Sequence, residues 1–80
     1  MSEKILVIDD DPCLLTLMKL GLERDGFEVI TASSGKEGLR QAYEAHPDAI
    51  VLDVMMPEMD GWDTCERLRY LCDIPVVMLT

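Results

Sequence analysis

Three short apolar runs in this chain each close on a polar side chain, and that repetition restricts the fold more than any other feature. Ile5-Leu-Val-Ile8 is followed by Asp9 and Asp10, Ala49-Ile-Val-Leu52 by Asp53, and Pro75-Val-Val-Met-Leu79 by Thr80. Runs this short, rich in β-branched residues and without polar alternation, read as strands buried on both faces. In an open parallel sheet the carboxyl ends of the strands share one edge, and ligands bind there. Two adjacent carboxylates, a lone Asp and a Thr hydroxyl at one edge suggest a divalent cation with a phosphoryl group.

The segments between these runs read as helices, with one further strand. Residues 4 to 8 form the first strand. Asp11 caps a helix whose first position is Pro12, where no N–H is needed. Leu14, Leu15, Met18 and Leu22 make its apolar stripe, and Gly26 ends it with a left-handed cap. Phe27 to Ala32 is the second strand, with Phe27, Val29 and Thr31 on one face. Ser34-Gly-Lys-Glu37 is a capping box in which each end satisfies the other's backbone N–H. Its helix runs to about Ala45, and Pro47 forbids continuation. Ala49 to Asp53 is the third strand, and a loop containing Met56-Pro57 follows. Asp60 caps a third helix, with Gly61 early in it, running to about Leu71. Ile74 to Thr80 is the fourth strand. The order βαβαβαβ predicts an α/β fold with a parallel sheet, right-handed crossovers and helices on both faces.

Eighty residues suit one domain at most. A hydrophobic fraction of 49% supports a packed core rather than disorder. The formal charge of -9, from 16 acidic against 7 basic residues, opposes nucleic acid and anionic membrane as direct partners. It suits a cation site or a basic protein partner, although a soluble acidic surface accounts for most of it. Cys13, Cys65 and Cys72 form no CxxC pair, so free thiols in a reducing cytoplasm are the expectation. Only four apolar residues separate Lys4 from Asp9, too few for a signal peptide, and no segment is long enough to span a membrane.

Asp53 alone reads as a strand-end cap. Asp9 and Asp10 change that balance, because three neighbouring carboxylates repel unless a cation joins them. Mg²⁺ suits the set: it takes one or two carboxylates, keeps waters and accepts phosphate oxygens. With the metal offsetting repulsion, Asp53 can act as a nucleophile toward a phosphoryl donor. Phosphoryl transfer depends mainly on positioning and charge neutralisation. Thr80 can donate its hydroxyl to a phosphoryl oxygen, against the plainer reading of an ordinary β-branched strand residue.

Two stretches, Ile5-Leu-Val-Ile-Asp-Asp-Asp-Pro12 and Asp53-Val-Met-Met-Pro-Glu-Met-Asp-Gly61, resemble the receiver domain of bacterial response regulators. The resemblance covers the whole chain and implies a flavodoxin-like, CheY-like doubly wound sheet. By position it makes Asp53 the phospho-acceptor. Asp9 and Asp10 become the acidic pair for Mg²⁺, with Asp10 a direct ligand and Asp9 acting through water. Met55 matches the residue whose backbone carbonyl completes the metal shell. Pro57 and Gly61 match the turn that shapes the loop, and Thr80 matches the switch hydroxyl that follows the phosphate. The implied partner is a histidine kinase, and the implied role is a phospho-switch rather than a dedicated enzyme.

A receiver resembling this one continues through a fourth helix, a fifth strand bearing an essential Lys, and a fifth helix. Residues 1–80 therefore read as a truncated receiver domain, incomplete and impaired in switching. Lys4, Lys19 and Lys36 belong to other elements and do not replace that Lys. In the strand order 2-1-3-4-5, the fourth strand is then left with an open edge of Val76, Val77, Met78 and Leu79, beside a partly uncovered sheet face. The expectation is a homo-oligomer formed through that surface.

Several other residues have plain readings. His46 reads as a solvated residue near a helix C-terminus. Cys65 and Cys72 read as apolar packing, and the six methionines as adaptable packing. Glu58 reads as solvated. Trp62 is placed to report metal or phosphate by fluorescence. Two rival functions remain open: a non-signalling interaction fragment, and a phosphohydrolase of the haloacid dehalogenase type. The latter also uses a strand-end Asp, and Asp9-Asp10-Asp11 contains its Asp-x-Asp pattern. The Pro12 and Asp53-loop context fits receivers better.

Overall fold

The structure, a computed structural model, describes residues 3–53, 61–71 and 73–79. The elements follow one another as β1 (Lys4–Ile8), α1 (Pro12–Arg24), β2 (Glu28–Ala32), α2 (Gly35–Ala45), β3 (Ala49–Asp53), α3 (Gly61–Leu71) and β4 (Val76–Leu79). All strand pairings are parallel, and the order is β2-β1-β3-β4. This is the expected doubly wound sheet.

Strand parity divides the core in two. Leu6 and Ile8 of β1 and Ile50 and Leu52 of β3 face α2 and α3, where Ala42, Cys65 and Leu68 complete one cluster. Ile5, Val7 and Val29 face α1 and pack on Leu15, with Met18, Leu22, Phe27 and Val51 around them. Ile5–Ile8 of β1 and Ala49–Leu52 of β3 are apolar throughout because both faces of these central strands are packed. Cys65 is buried in this core, as its sequence context suggested.

The helix caps follow local rules. Asp11 Oδ1 accepts from the Cys13 N–H at 2.9 Å, with Pro12 behind it in the first helical turn. At the other end of α1, Gly26 adopts φ +95°. The Phe27 N–H donates to the Leu22 carbonyl at 3.1 Å and the Gly26 N–H to the Glu23 carbonyl at 3.0 Å, a Schellman closure. Ser34 Oγ accepts from the Glu37 N–H at 3.1 Å. The reciprocal half of the expected capping box is replaced: Glu37 Oε1 accepts from Arg40 Nη2 at 2.6 Å, one turn further on. His46 closes α2 in the left-handed region at φ 48° and is exposed, as expected of a residue beyond a helix end.

Three expectations need correction. Phe27 is not in β2, because its N–H is committed to the helix closure and the ladder begins at Glu28. β4 begins at Val76 rather than Ile74. Pro75 has no N–H to give, and its contribution is the carbonyl that accepts from the Ile50 N–H at 2.9 Å. Leu14 is 36% exposed and outside the α1 core stripe, since it lies one residue, about 100° of helix, from Leu15. The expectations for Met55, Met56, Pro57, Glu58, Asp60, Cys72 and Thr80, and for the Trp62 side chain, lie outside the described residues.

Candidate metal centre

The two central strands bring the site together. Ile5, Leu6, Val7 and Ile8 of β1 pair in register with Ala49, Ile50, Val51 and Leu52 of β3. One step further, Asp9 comes level with Asp53. A clip at the opposite end sets this register: the Lys4 N–H donates to Asp48 Oδ2 at 2.7 Å, and the Asp48 N–H returns to the Lys4 carbonyl at 2.7 Å. Lys4 Nζ also reaches the Ala45 carbonyl at the C-terminus of α2, at 3.2 Å. A cation there complements the partial negative charge of the helix end.

Asp9, Asp10 and Asp53 each offer a carboxylate oxygen, and these atoms lie within 4.8 Å of one another. Their environments differ. Asp9 is 2% exposed, Asp53 is half-buried, and Asp10 faces solvent. Asp9 is held from two sides: its N–H donates to the Ala32 carbonyl at 3.0 Å, and its Oδ1 accepts from the Asp11 N–H at 2.9 Å. Burial pushes the Asp9 carboxyl above the usual carboxylate range. The Asp11 N–H opposes that rise, while the charges of Asp53 and Asp10 and a hydrogen bond to Asp53 add to it.

The donor set fits a hard divalent cation. Oxygens around octahedral Mg²⁺ at 2.0–2.1 Å are about 3 Å apart when adjacent and about 4 Å when opposite. Three carboxylate oxygens spanning at most 4.8 Å need only small side-chain rotations to meet one ion. No helix among the described residues is long and apolar enough to cross a membrane.

Sequence reasoning named the three carboxylates but missed what positions them. It did not identify the Asp11 N–H that orients Asp9, or the contact of Gly38 with Ile8, the residue before Asp9. The available signal for Gly38 was a glycine inside an otherwise helical pattern.

Comparison with known proteins agrees with this geometry. The sequence profile of the response regulator receiver domain matches residues 5–80. The alkaline phosphatase synthesis transcriptional regulatory protein PhoP of Bacillus subtilis is 49% identical over 100% of this chain. The match spans 34% of PhoP, so the chain covers about a third of that relative's length. The N-terminal domain of a response regulator receiver protein from Methanoculleus marisnigri superposes with a TM-score of 0.93 at 46% identity, covering 96% of this chain and 65% of that one. A chain from the complex of histidine kinase ThkA with response regulator protein TrrA superposes with a TM-score of 0.91 at 33% identity, covering 98% of this chain and 68% of that one. With the strand order, the acidic edge and these likenesses in agreement, the chain belongs to the response regulator receiver domain family.

Proposed function

We propose that this chain is a phospho-acceptor, with Asp53 taking a phosphoryl group from the phosphohistidine of a kinase. The observation that carries this reading is the convergence of Asp9, Asp10 and Asp53 at the carboxyl edge of the sheet. A carboxylate oxygen of Asp53 attacks phosphorus in line with the imidazole nitrogen. The new O–P bond forms as the P–N bond breaks, and the imidazole leaves with the electron pair. Mg²⁺, when bound, neutralises charge between the carboxylates and the incoming phosphoryl oxygens. Of the acidic pair, Asp10, exposed at the rim, would be the direct ligand and Asp9 would act through a bound water, with Asp53 completing the carboxylate set. The Met55 carbonyl and the Thr80 hydroxyl are assigned to the metal and the phosphoryl group on family resemblance. Support for a kinase as partner comes from the structural likeness to a chain of a kinase–regulator complex.

Native mass spectrometry with Mg²⁺ and a small acyl phosphate tests the reading. A phosphoryl adduct that disappears in Asp53→Asn is the expected result. A folded wild-type chain that takes up no phosphate would refute it.

A second reading has its own observation. Val77 on β4 is 55% exposed beside half-buried Val51, and β4 is the last strand of the sheet among the described residues. We propose that two copies of the 80-residue chain associate through this strand. A dimer mass that Val77→Lys converts to monomer is expected. A wild-type monomer at micromolar concentration would refute it.

A further inference from the structure

The geometry points to Gly38 as a positioning residue for the metal site, acting through Ile8; the inference rests on the metal-site reading above. Gly38 is buried in the second turn of α2, where that helix packs on β1. A Cβ at this position would collide with Ile8 Cδ1, well inside contact distance. It would also come within 2.7 Å of Cγ1 and 3.2 Å of Cγ2 of the same side chain. The absent methyl is thus what lets α2 settle directly onto Ile8.

Ile8 has little room to yield. It is 1% exposed and sits among Leu6, Ala32, Ala42 and Leu52 in the close-packed cluster under α2 and α3. Cγ1 is near the backbone, so rotating the distal methyl alone does not remove the conflict. The displacement therefore passes into β1 at its last residue. The next two residues are Asp9 and Asp10, whose oxygens must meet that of Asp53 within 4.8 Å. Mg²⁺ tolerates little deviation from octahedral geometry, so a small shift at the end of β1 weakens the site. Gly38 acts only by holding the end of the strand that leads into Asp9 and Asp10.

The test is a methyl-exchange cycle read by Mg²⁺ calorimetry on folded protein well below its melting temperature. Gly38→Ala is expected to weaken Mg²⁺ binding by about 10-fold, the usual scale for disturbing groups that orient metal ligands. Ile8→Val, which removes Cδ1, is expected to weaken it by less. The double variant moves one methyl from Ile8 to position 38 and is expected to bind more tightly than Gly38→Ala. Gly21→Ala is the control, since a Cβ there meets nothing within 4 Å and raises helix propensity equally. It should bind Mg²⁺ as wild type does.

Wild-type affinity in Gly38→Ala overturns the inference, as does a double variant no tighter than Gly38→Ala. If Gly38→Ala does not fold, the double variant is compared with Ile8→Val. Weaker binding in the double, whose Cβ at position 38 still meets Cγ1, supports the inference, and equal or tighter binding overturns it. Failure of the wild-type chain itself to bind Mg²⁺ instead overturns the metal-site reading, so the two failures are distinguishable.

Discussion

Asp9 stands level with Asp53 because Ile8 pairs with Leu52 across β1 and β3. Asp9 thereby has the stronger constraint of the two. It is buried, receives the Asp11 N–H, and faces the charges of both Asp53 and Asp10. The arrangement suits a cation and is costly without one.

The pH dependence of the metal-free chain follows from that cost. The Asp9 carboxyl is raised in the folded state, chiefly by burial. Its ionised form therefore destabilises the fold, and the penalty is fully present above the folded pKa. It is relieved as pH falls through that value toward the ordinary carboxylate range. In EDTA, Asp9→Asn should be more stable than wild type at neutral pH, and the difference should shrink on mild acidification. Urea unfolding from pH 7 to pH 4 checks both points.

Magnesium should reverse the order. Binding to the folded state alone adds about 2.7 kcal/mol when the ion is at 100 times its Kd. Wild type should gain stability with added MgCl₂, while Asp53→Asn and Asp10→Asn gain much less. Thermal melting against Mg²⁺ concentration measures the difference, and equal gains in all three would place the ion elsewhere.

Gly26 carries a purely structural prediction. At φ +95° it closes α1 in a conformation that a Cβ disfavours. Nothing lies within 4 Å of that Cβ, so the cost is conformational and not steric crowding. Gly26→Ala should destabilise by about 1 kcal/mol and leave Mg²⁺ affinity unchanged, because the closure lies at the other end of α1 from the acidic site. Denaturant unfolding with parallel Mg²⁺ titration checks this.

Ser34 makes a matching prediction for α2. Its Oγ caps the Glu37 N–H at 3.1 Å, and Ser34→Ala should cost about 1 kcal/mol. Ser34→Asp should recover most of that loss, since the carboxylate can accept the same bond and complements the helix dipole. Circular dichroism melts of the three proteins compare them directly.

Features governed by neighbours in the chain were legible without coordinates. Asp11 before Pro12, Ser34 before Glu37 and Gly26 after Arg24 marked helix ends that the structure reproduces. The strands expected at residues 4 to 8 and from Ala49 to Asp53 match β1 and β3 to the residue. Phe27 and Ile74 were misplaced because both are apolar and next to a strand. Composition does not show that the Phe27 N–H closes a helix, or that the ladder at β4 starts from the Pro75 carbonyl.

By itself the sequence determined the alternation of strands and helices, the ends of α1 and α2, and the three carboxylates at strand ends. These depend on interactions within a few residues, where side-chain type and spacing are sufficient. Only the tertiary structure decided that Asp9 and not Asp10 is buried, that Asp9 meets Asp53, and that α2 rests on Ile8 through Gly38. Those outcomes depend on strand register and on which helix face reaches the sheet, and both are set by packing between residues far apart in the chain.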